Sequence, residues 1–244
     1  MIDLHCHLVW GVDDGCRTAD DALQMARALV DAGVTAVACT PHLRHDKGWV
    51  NTRPVVTEKL PLLKEKLSEA GIPLQLHEGS EHYLTPELFE HVSRGEHTPY
   101  ALGSYMLTEI PYSGPPPDLP GVLYRLRRAG LQPLLAHVER YSKVGVDLRV
   151  LTTLHEQGYA LQVNLGSLVG AYGRDNEKAA LKILDAGLCH VVAGDCHGPE
   201  DPAALVQKGL KVLQKKWGRA TAELLAVHNP RAVLEGRPVQ DMAS

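Results

Sequence analysis

The chain has 244 residues, 44% of them hydrophobic, and a formal charge of −4, which is the make-up of a water-soluble globular protein with no basic face for nucleic acid or anionic lipid. No apolar run is long enough to enter a bilayer, and no basic-then-apolar leader opens the chain, so a cytoplasmic location is expected. The five cysteines are scattered without a C-x-x-C pair and read as reduced thiols.

Met1 to Leu4 predicts a strand that runs into His5-Cys6-His7. On alternating backbone His5 and His7 point one way and Cys6 the other, so two imidazoles can share one ion. Asp13, Asp14 and Gly15 follow in a loop able to return a carboxylate to the same place. Thr18 caps a helix to Ala32, with Asp20 and Asp21 in the first turn and Gly33 as its stop. Strand Val34–Thr40 leads to His42, and a helix over Val55–Ala70 is marked by Leu60, Leu63 and Leu67. Strand Pro73–Glu78 runs into Gly79-Ser80-Glu81, followed by a short helix at Thr85–Ser93. Strand Ser104–Ile110 carries Glu109; the stiff Gly114–Pro117 connection and helix Leu119–Ala129 come next. Strand Gln132–Ala136 ends at His137, and helix Asp147–Gln157 precedes strand Tyr159–Asn164. Helix Asp175–Ala186, strand Cys189–Ala193 and Gly194-Asp195-Cys196-His197 come next. Closing helices over Asp201–Trp217 and Ala220–Val227, then a turn at Asn229-Pro230, complete the chain.

Seven strand–helix units with short connections predict one α/β domain over residues 1–244, a parallel sheet closed or nearly closed into a barrel. In such barrels function gathers at the C-terminal strand ends. Those ends carry His5, His7, His42, Glu81, Glu109, His137, Asp195 and His197, with Asn164 on the sixth strand as a structural or substrate-binding group. Any one of these alone reads as a solvated loop residue. Their recurrence at equivalent points of successive units is what solvation explains poorly. So many close carboxylates and imidazoles call for cations. The ligands exceed the needs of one ion, which favours a cluster of two or three, with Glu81 bridging. Mixed imidazole and carboxylate ligation suits manganese, iron or zinc better than magnesium. Of the remaining histidines, His45 and His82 stand near enough to be substrate contacts. Cys6 and Cys196 read as small buried residues, and Cys39 and Arg44 are one residue too close for the C-x5-R loop of thiol phosphatases.

These residues resemble the polymerase-and-histidinol-phosphatase (PHP) superfamily. Within it they are most similar to the bacterial CpsB/CapC-type metal-dependent protein-tyrosine phosphatases. The similar pieces are D-L-H-C-H at Asp3–His7, G-V-D-D-G at Gly11–Gly15, T-P-H at Thr40–His42, G-S-E at Gly79–Glu81, T-E-I-P at Thr108–Pro111, A-H-V-E-R-Y at Ala136–Tyr141, G-D-C-H at Gly194–His197 and N-P at Asn229–Pro230. They occur in order and span nearly the whole chain. The resemblance implies a distorted seven-unit PHP barrel holding three divalent ions, manganese first. It implies His5, His7, Glu81 and Asp195 on one ion, Glu81, Glu109 and His137 on the second, and Asp14, His42 and His197 on the third. It also implies that Arg140 contacts phosphate, with Asp195 and His42 acting catalytically beside it. The implied reaction is hydrolysis of a phosphotyrosine ester, and the implied partner is the tyrosine-rich tail of a membrane-bound kinase that controls capsule or exopolysaccharide synthesis. Direct membrane insertion is not expected; self-association is left open.

One departure stands out. The family carries another arginine after its aspartate-x-histidine motif. Here that loop reads Gly198-Pro199-Glu200-Asp201-Pro202, and only Arg44 and Arg174 offer themselves as substitutes. The competing expectations are a small-metabolite phosphatase such as one for histidinol phosphate, an amidohydrolase-type barrel, and a non-catalytic metal-binding regulator.

Overall fold

A computed structural model describes residues 1–100, 103–144 and 146–242. Its strands are β1 (Ile2–Cys6), β2 (Ala36–Cys39), β3 (His42–Arg44), β4 (Trp49–Val50), β5 (Gln75–Glu78), β6 (Glu81–Tyr83), β7 (Tyr105–Glu109), β8 (Gln132–Leu135), β9 (Ala160–Asn164) and β10 (Val191–Ala193). The helices are α1 (Ala19–Asp31), α2 (Arg53–Glu69), α3 (Pro86–Arg94), α4 (Leu119–Arg128), α5 (Leu148–Glu156), α6 (Arg174–Asp185), α7 (Lys208–Glu223) and α8 (Asn229–Leu234). One sheet runs β1-β2-β5 and the other β10-β9-β8-β7-β6-β3-β4, every pairing parallel except β3 with β4.

The two sheets are one ring broken twice. Thr40-Pro41 separates β2 from β3, and Gly79-Ser80 separates β5 from β6. The pair β2·β5 is therefore continued, after the same break, by β3·β6. Counting each broken strand once, and setting aside the antiparallel β4, leaves the seven positions expected from the sequence. The ring closes where β1 meets the end of β10: Cys6 and Cys196 form a parallel bridge, His7 N–H donates to Cys196 O (3.0 Å), and Asp195 N–H donates to His5 O (2.8 Å). The breaks correct one expectation. His42 and Glu81 open new strands, in register with each other, instead of following completed ones.

Inside the ring lies a small apolar cluster with Ile2, Leu4, Ala36, Ala38, Leu107, Leu134, Ala160 and Val191, floored by Tyr100 and by Val233 and Leu234 of α8. Strand alternation then decides what stands above it. Tyr105 and Leu107 point inward, so Glu109 does too; Ala160 points inward, and with it Gln162 and Asn164; Val191 brings Asp195 to the same side. β1 follows another rule. Plain alternation from Ile2 and Leu4 would aim Cys6 inward. A register shift between Asp3 and Cys6 reverses this. Cys6 joins the outer core between strands and helices, and His5 and His7 face the barrel mouth. Asp3 braces the bulge: its buried carboxylate accepts His5 N–H (3.1 Å) and, from the far end of the chain, Gly194 N–H (3.0 Å).

The outer shell follows its sequence signals. Thr18 and Asp21 form a reciprocal capping box on α1. Asp118 and Asp147 cap α4 and α5. The two closing helices expected near the C-terminus are separated at Gly218, whose φ of 84° breaks the helical backbone inside α7.

Candidate metal centre

The mouth of the barrel gathers every residue that the strand-end pattern singled out. His5 Nε2 lies 3.1 Å from Glu81 Oε2, 3.2 Å from Asp195 Oδ1 and 3.2 Å from His7 Nε2. His7 Nε2 is 3.5 Å from each of the same two carboxylates. His137 Nε2 is 2.9 Å from Glu81 Oε1 and 4.0 Å from Glu109 Oε1. Asp14 Oδ1 stands 3.5 Å from His42 Nε2 and 3.4 Å from His197 Nε2. Ligand atoms about 2.1 Å from one tetrahedral ion are about 3.4 Å apart, so these separations suit shared cations. All are buried except Asp14 and His197, which stand at the opening.

A second layer sets which nitrogen each imidazole presents. His5 Nδ1 meets Gln162 Oε1 (3.1 Å), His7 Nδ1 meets Asp13 Oδ2 (2.8 Å), His137 Nδ1 meets Tyr141 Oη (3.0 Å) and His197 Nδ1 meets Asp195 O (3.0 Å). A proton on Nδ1 at each of these contacts would leave the Nε2 lone pair to the cluster. Asp13 also accepts His42 N–H (3.0 Å) and Gly15 N–H (3.0 Å). Asn164 Nδ2 donates to Asp195 Oδ2 (2.7 Å) and takes a bond from Gln162 on its Oδ1. The sixth strand therefore places Gln162 and Asn164 behind His5 and Asp195 and orients them. Gln162 and Tyr141 carry no strand-end signal in the sequence, while the loop expected to return a carboxylate does so with both Asp13 and Asp14. The pair Gln162 and Asn164 on one face of an otherwise apolar strand was the available signal.

The electrostatics ask for positive charge. Burial opposes ionisation of Glu81 and Asp195, yet His5 and its neighbouring imidazoles hold both carboxyls well below their usual range. Burial together with the Glu81 carboxylate pushes Glu109 up. Burial would lower His5, but Asp195 and Glu81 raise it to about 9; burial lowers His137 to about 4. Two buried atoms, His42 Nδ1 and Glu109 Oε2, make no hydrogen bond, although His42 Nδ1 is 3.0 Å from Glu81 Oε2. Such orphaned atoms are costly unless something else satisfies them. Strain gathers here too. Among the described residues, His137 (φ 31°) and Asp195 (φ 52°) are the non-glycine positions with positive φ. Donor chemistry, tautomers and orphaned atoms all fit divalent ions held by these side chains.

Arg140 flanks the cluster. Its Nη1 is 3.3 Å from Asp195 Oδ2, and the guanidinium lies 5.2 Å from the Tyr112 ring centroid and 5.1 Å from that of Tyr172. Arg44 approaches from the other side, with Nη1 3.5 Å from Glu109 Oε2, whereas Arg174 opens α6 on the exposed surface. His82 is not a substrate contact: its Nδ1–H donates to Leu107 O (2.9 Å) and its Nε2 accepts Thr98 N–H (3.1 Å). His45 turns to His91 instead (2.6 Å). No helix is long and apolar enough to cross a membrane among the described residues. All five cysteines are buried and unpaired, and burial raises the thiols of Cys16 and Cys39 to about 12.

Comparison with known proteins places these features in a lineage. The family model for capsular polysaccharide synthesis, CpsB/CapC, matches residues 1–235. The chain is 32% identical over 219 residues to the tyrosine-protein phosphatase YwqE of Bacillus subtilis, covering 89% of this chain and 85% of the relative. It is 27% identical over 240 residues to the tyrosine-protein phosphatase CpsB of Streptococcus pneumoniae, covering 96% and 98%. A chain from the crystal structures of YwqE from B. subtilis and CpsB from S. pneumoniae, described as unique metal-dependent tyrosine phosphatases, superposes with a TM-score of 0.90 at 29% identity, over 99% of this chain and 97% of that one.

Proposed function

Because the chain belongs to the CpsB/CapC family of capsular polysaccharide synthesis proteins, we propose that it is a metal-dependent tyrosine-protein phosphatase. The observation that carries this reading is the joint one of a buried imidazole–carboxylate cluster at a barrel mouth with Arg140 held against Asp195. We assign the metal to three divalent ions, manganese first. One is held by His5, His7, Glu81 and Asp195, one by Glu81, Glu109 and His137, and one by Asp14, His42 and His197. Ions bound there supply Lewis-acid polarisation of a phosphate ester and activation of water near neutral pH. Arg140 binds the phosphate and stabilises the charge that builds on its oxygens. Tyr112 and Tyr172 hold that guanidinium between their rings. A tyrosine phenolate leaves with a pKa of about 10, so phosphotyrosine needs less help from a protonating group than phosphoserine.

The substrate in this reading is the phosphotyrosine segment of a membrane-bound kinase that controls capsule or exopolysaccharide synthesis, reached from the cytoplasm. The test is hydrolysis of a phosphotyrosine peptide, a phosphoserine peptide and histidinol phosphate by manganese-loaded protein, with and without chelator. Chelator-sensitive turnover favouring phosphotyrosine is expected, and Asp195→Ala should abolish it without unfolding the chain. A preference for histidinol phosphate would move the site to a metabolic role. Metal binding with no turnover of any of the three would overturn the phosphatase reading.

A further inference from the structure

Arg44 stands where the strand geometry should have put another ligand. On β3 it is two residues from His42, so the two side chains leave the strand on the same face, while Leu43 between them joins the outer core. The register across β3, β6 and β7 makes two layers. His42 stands opposite Glu81, and one step higher Arg44 comes level with Tyr83, which stands opposite Glu109. The upper layer thus puts a permanent cation beside a carboxylate of the centre.

Three contacts fix how that cation is held. Asp46 takes Nε (2.9 Å) and Nη2 (3.2 Å) in a side-on fork, and the Tyr83 ring lies 4.0 Å beneath Cζ. Nη1 is left facing the mouth, 3.5 Å from Glu109 Oε2, a buried oxygen that makes no hydrogen bond. The side chain is only 13% exposed. A cation in such a place is unfavourable once divalent ions have claimed the carboxylates, unless an additional anion arrives. Such an anion takes the place of Glu109 as the partner of Nη1.

We propose that Arg44 is a second phosphate-binding residue, reaching the ester from the β3 side through Nη1 while Arg140 reaches it from the β8 side. Asp46 is its positioning residue. The inference rests on the phosphatase reading above.

The test compares wild type with Arg44→Ala, Arg44→Lys and Asp46→Asn, all loaded with manganese. The readouts are metal content, inhibition by inorganic phosphate, and kcat/KM on the phosphotyrosine peptide. Losing a charge-assisted contact to phosphate should cut kcat/KM by about 10- to 100-fold in Arg44→Ala and weaken inhibition by phosphate about as much. Metal content should stay at the wild-type level. Arg44→Lys keeps the charge but loses the planar fork, so it should fall between, and it serves if Arg44→Ala does not fold. Asp46→Asn should raise the phosphate inhibition constant by a smaller factor and leave metal content alone. Arg44 variants within twofold of wild type in both phosphate readouts would overturn the proposal. So would loss of metal from Arg44→Ala, which would make Arg44 a brace for Glu109. Failure of the wild type itself to hydrolyse the peptide would instead strike the phosphatase reading.

Discussion

Asp13 and His7 are joined by a 2.8 Å bond between Oδ2 and Nδ1, and that bond decides which nitrogen of His7 the barrel mouth receives. The pairing also explains why the G-V-D-D-G loop carries two aspartates. Asp14 stands by His42 and His197 at the opening, while Asp13 stands behind His7 and turns its Nε2 toward the cluster. His7 in turn keeps the Asp13 carboxyl down at about 2, against its burial.

Removing Asp13 should therefore weaken metal binding without removing a ligand. Asp13→Ala is expected to lower metal affinity by about 10- to 100-fold, the usual cost of losing an orienting partner. Competition with a chelator of known affinity measures it. An unchanged affinity would leave Asp13 with no role beyond bonding the loop backbone.

Gly15 is where that loop crosses His7. A methyl group there would come within 2.3 Å of His7 O and 2.5 Å of His7 Cβ. Backbone cannot yield as a flexible side chain would. Gly15→Ala should cost about 1–3 kcal/mol of stability and reduce metal affinity, because His7 moves with the loop. Denaturant unfolding and metal titration of the same variant should both show the loss.

Arg140 predicts a change in substrate handling. Arg140→Ala should raise KM for the phosphotyrosine peptide and cut kcat/KM by about 10- to 100-fold. Tyr172→Leu should move the same parameters by a smaller factor, since its ring only holds the guanidinium. Steady-state kinetics at saturating manganese separates the two; unchanged kinetics in Arg140→Ala would take it out of the phosphate site.

Acid stability should respond to a group far from the ligands. His190 Nδ1 accepts Leu161 N–H (3.1 Å), so its proton sits on Nε2 and is donated to Asp241 (3.1 Å). Burial and the stacked His155 lower His190 from 6.5 to about 4, with Asp241 opposing. The folded form thus prefers neutral His190 more than the unfolded chain does. Its stabilisation is complete above about pH 6.5 and is lost as pH falls toward 4. Between pH 7.5 and 5, wild type should lose about 2 kcal/mol more stability than His190→Gln. Urea unfolding of both proteins in chelator cancels the titration of the metal centre, and equal losses would contradict the assignment.

Thiol chemistry should be silent. Burial first, and then neighbouring Asp3, raise Cys196 well above its usual range, and the same burial raises Cys6. Iodoacetamide at pH 7.5 should leave metal-dependent turnover intact; inactivation in step with alkylation would reopen a thiol mechanism.

Much of this centre was legible in the chain because a parallel barrel turns a repeated position into a shared location. Strand ends at His5, Glu109, His137 and Asp195 could be compared one unit at a time, and their spacing carried the fold with it. What stayed hidden depends on partners remote in sequence. The bulge in β1 is braced by Asp3 and Gly194, 191 residues apart, and His5 takes its orientation from Gln162, 157 residues away. No local pattern around His5 announces either. The breaks at Pro41 and Ser80 escaped for another reason. The apolar runs before them look uninterrupted, and only the transfer of pairing from β2·β5 to β3·β6 reveals that His42 and Glu81 begin strands.

The bridge between Cys6 and Cys196 has a temporal side. It seats His5 and His7 against Asp195 and His197, so groups made first during synthesis wait for groups made nearly 200 residues later. A nascent chain halted before β10 would carry most of the imidazoles and lack the carboxylate that His5 and His7 share with Glu81. Metal capture should then be a late event in the life of each molecule, following ring closure, and ions bound earlier would be held loosely enough to exchange.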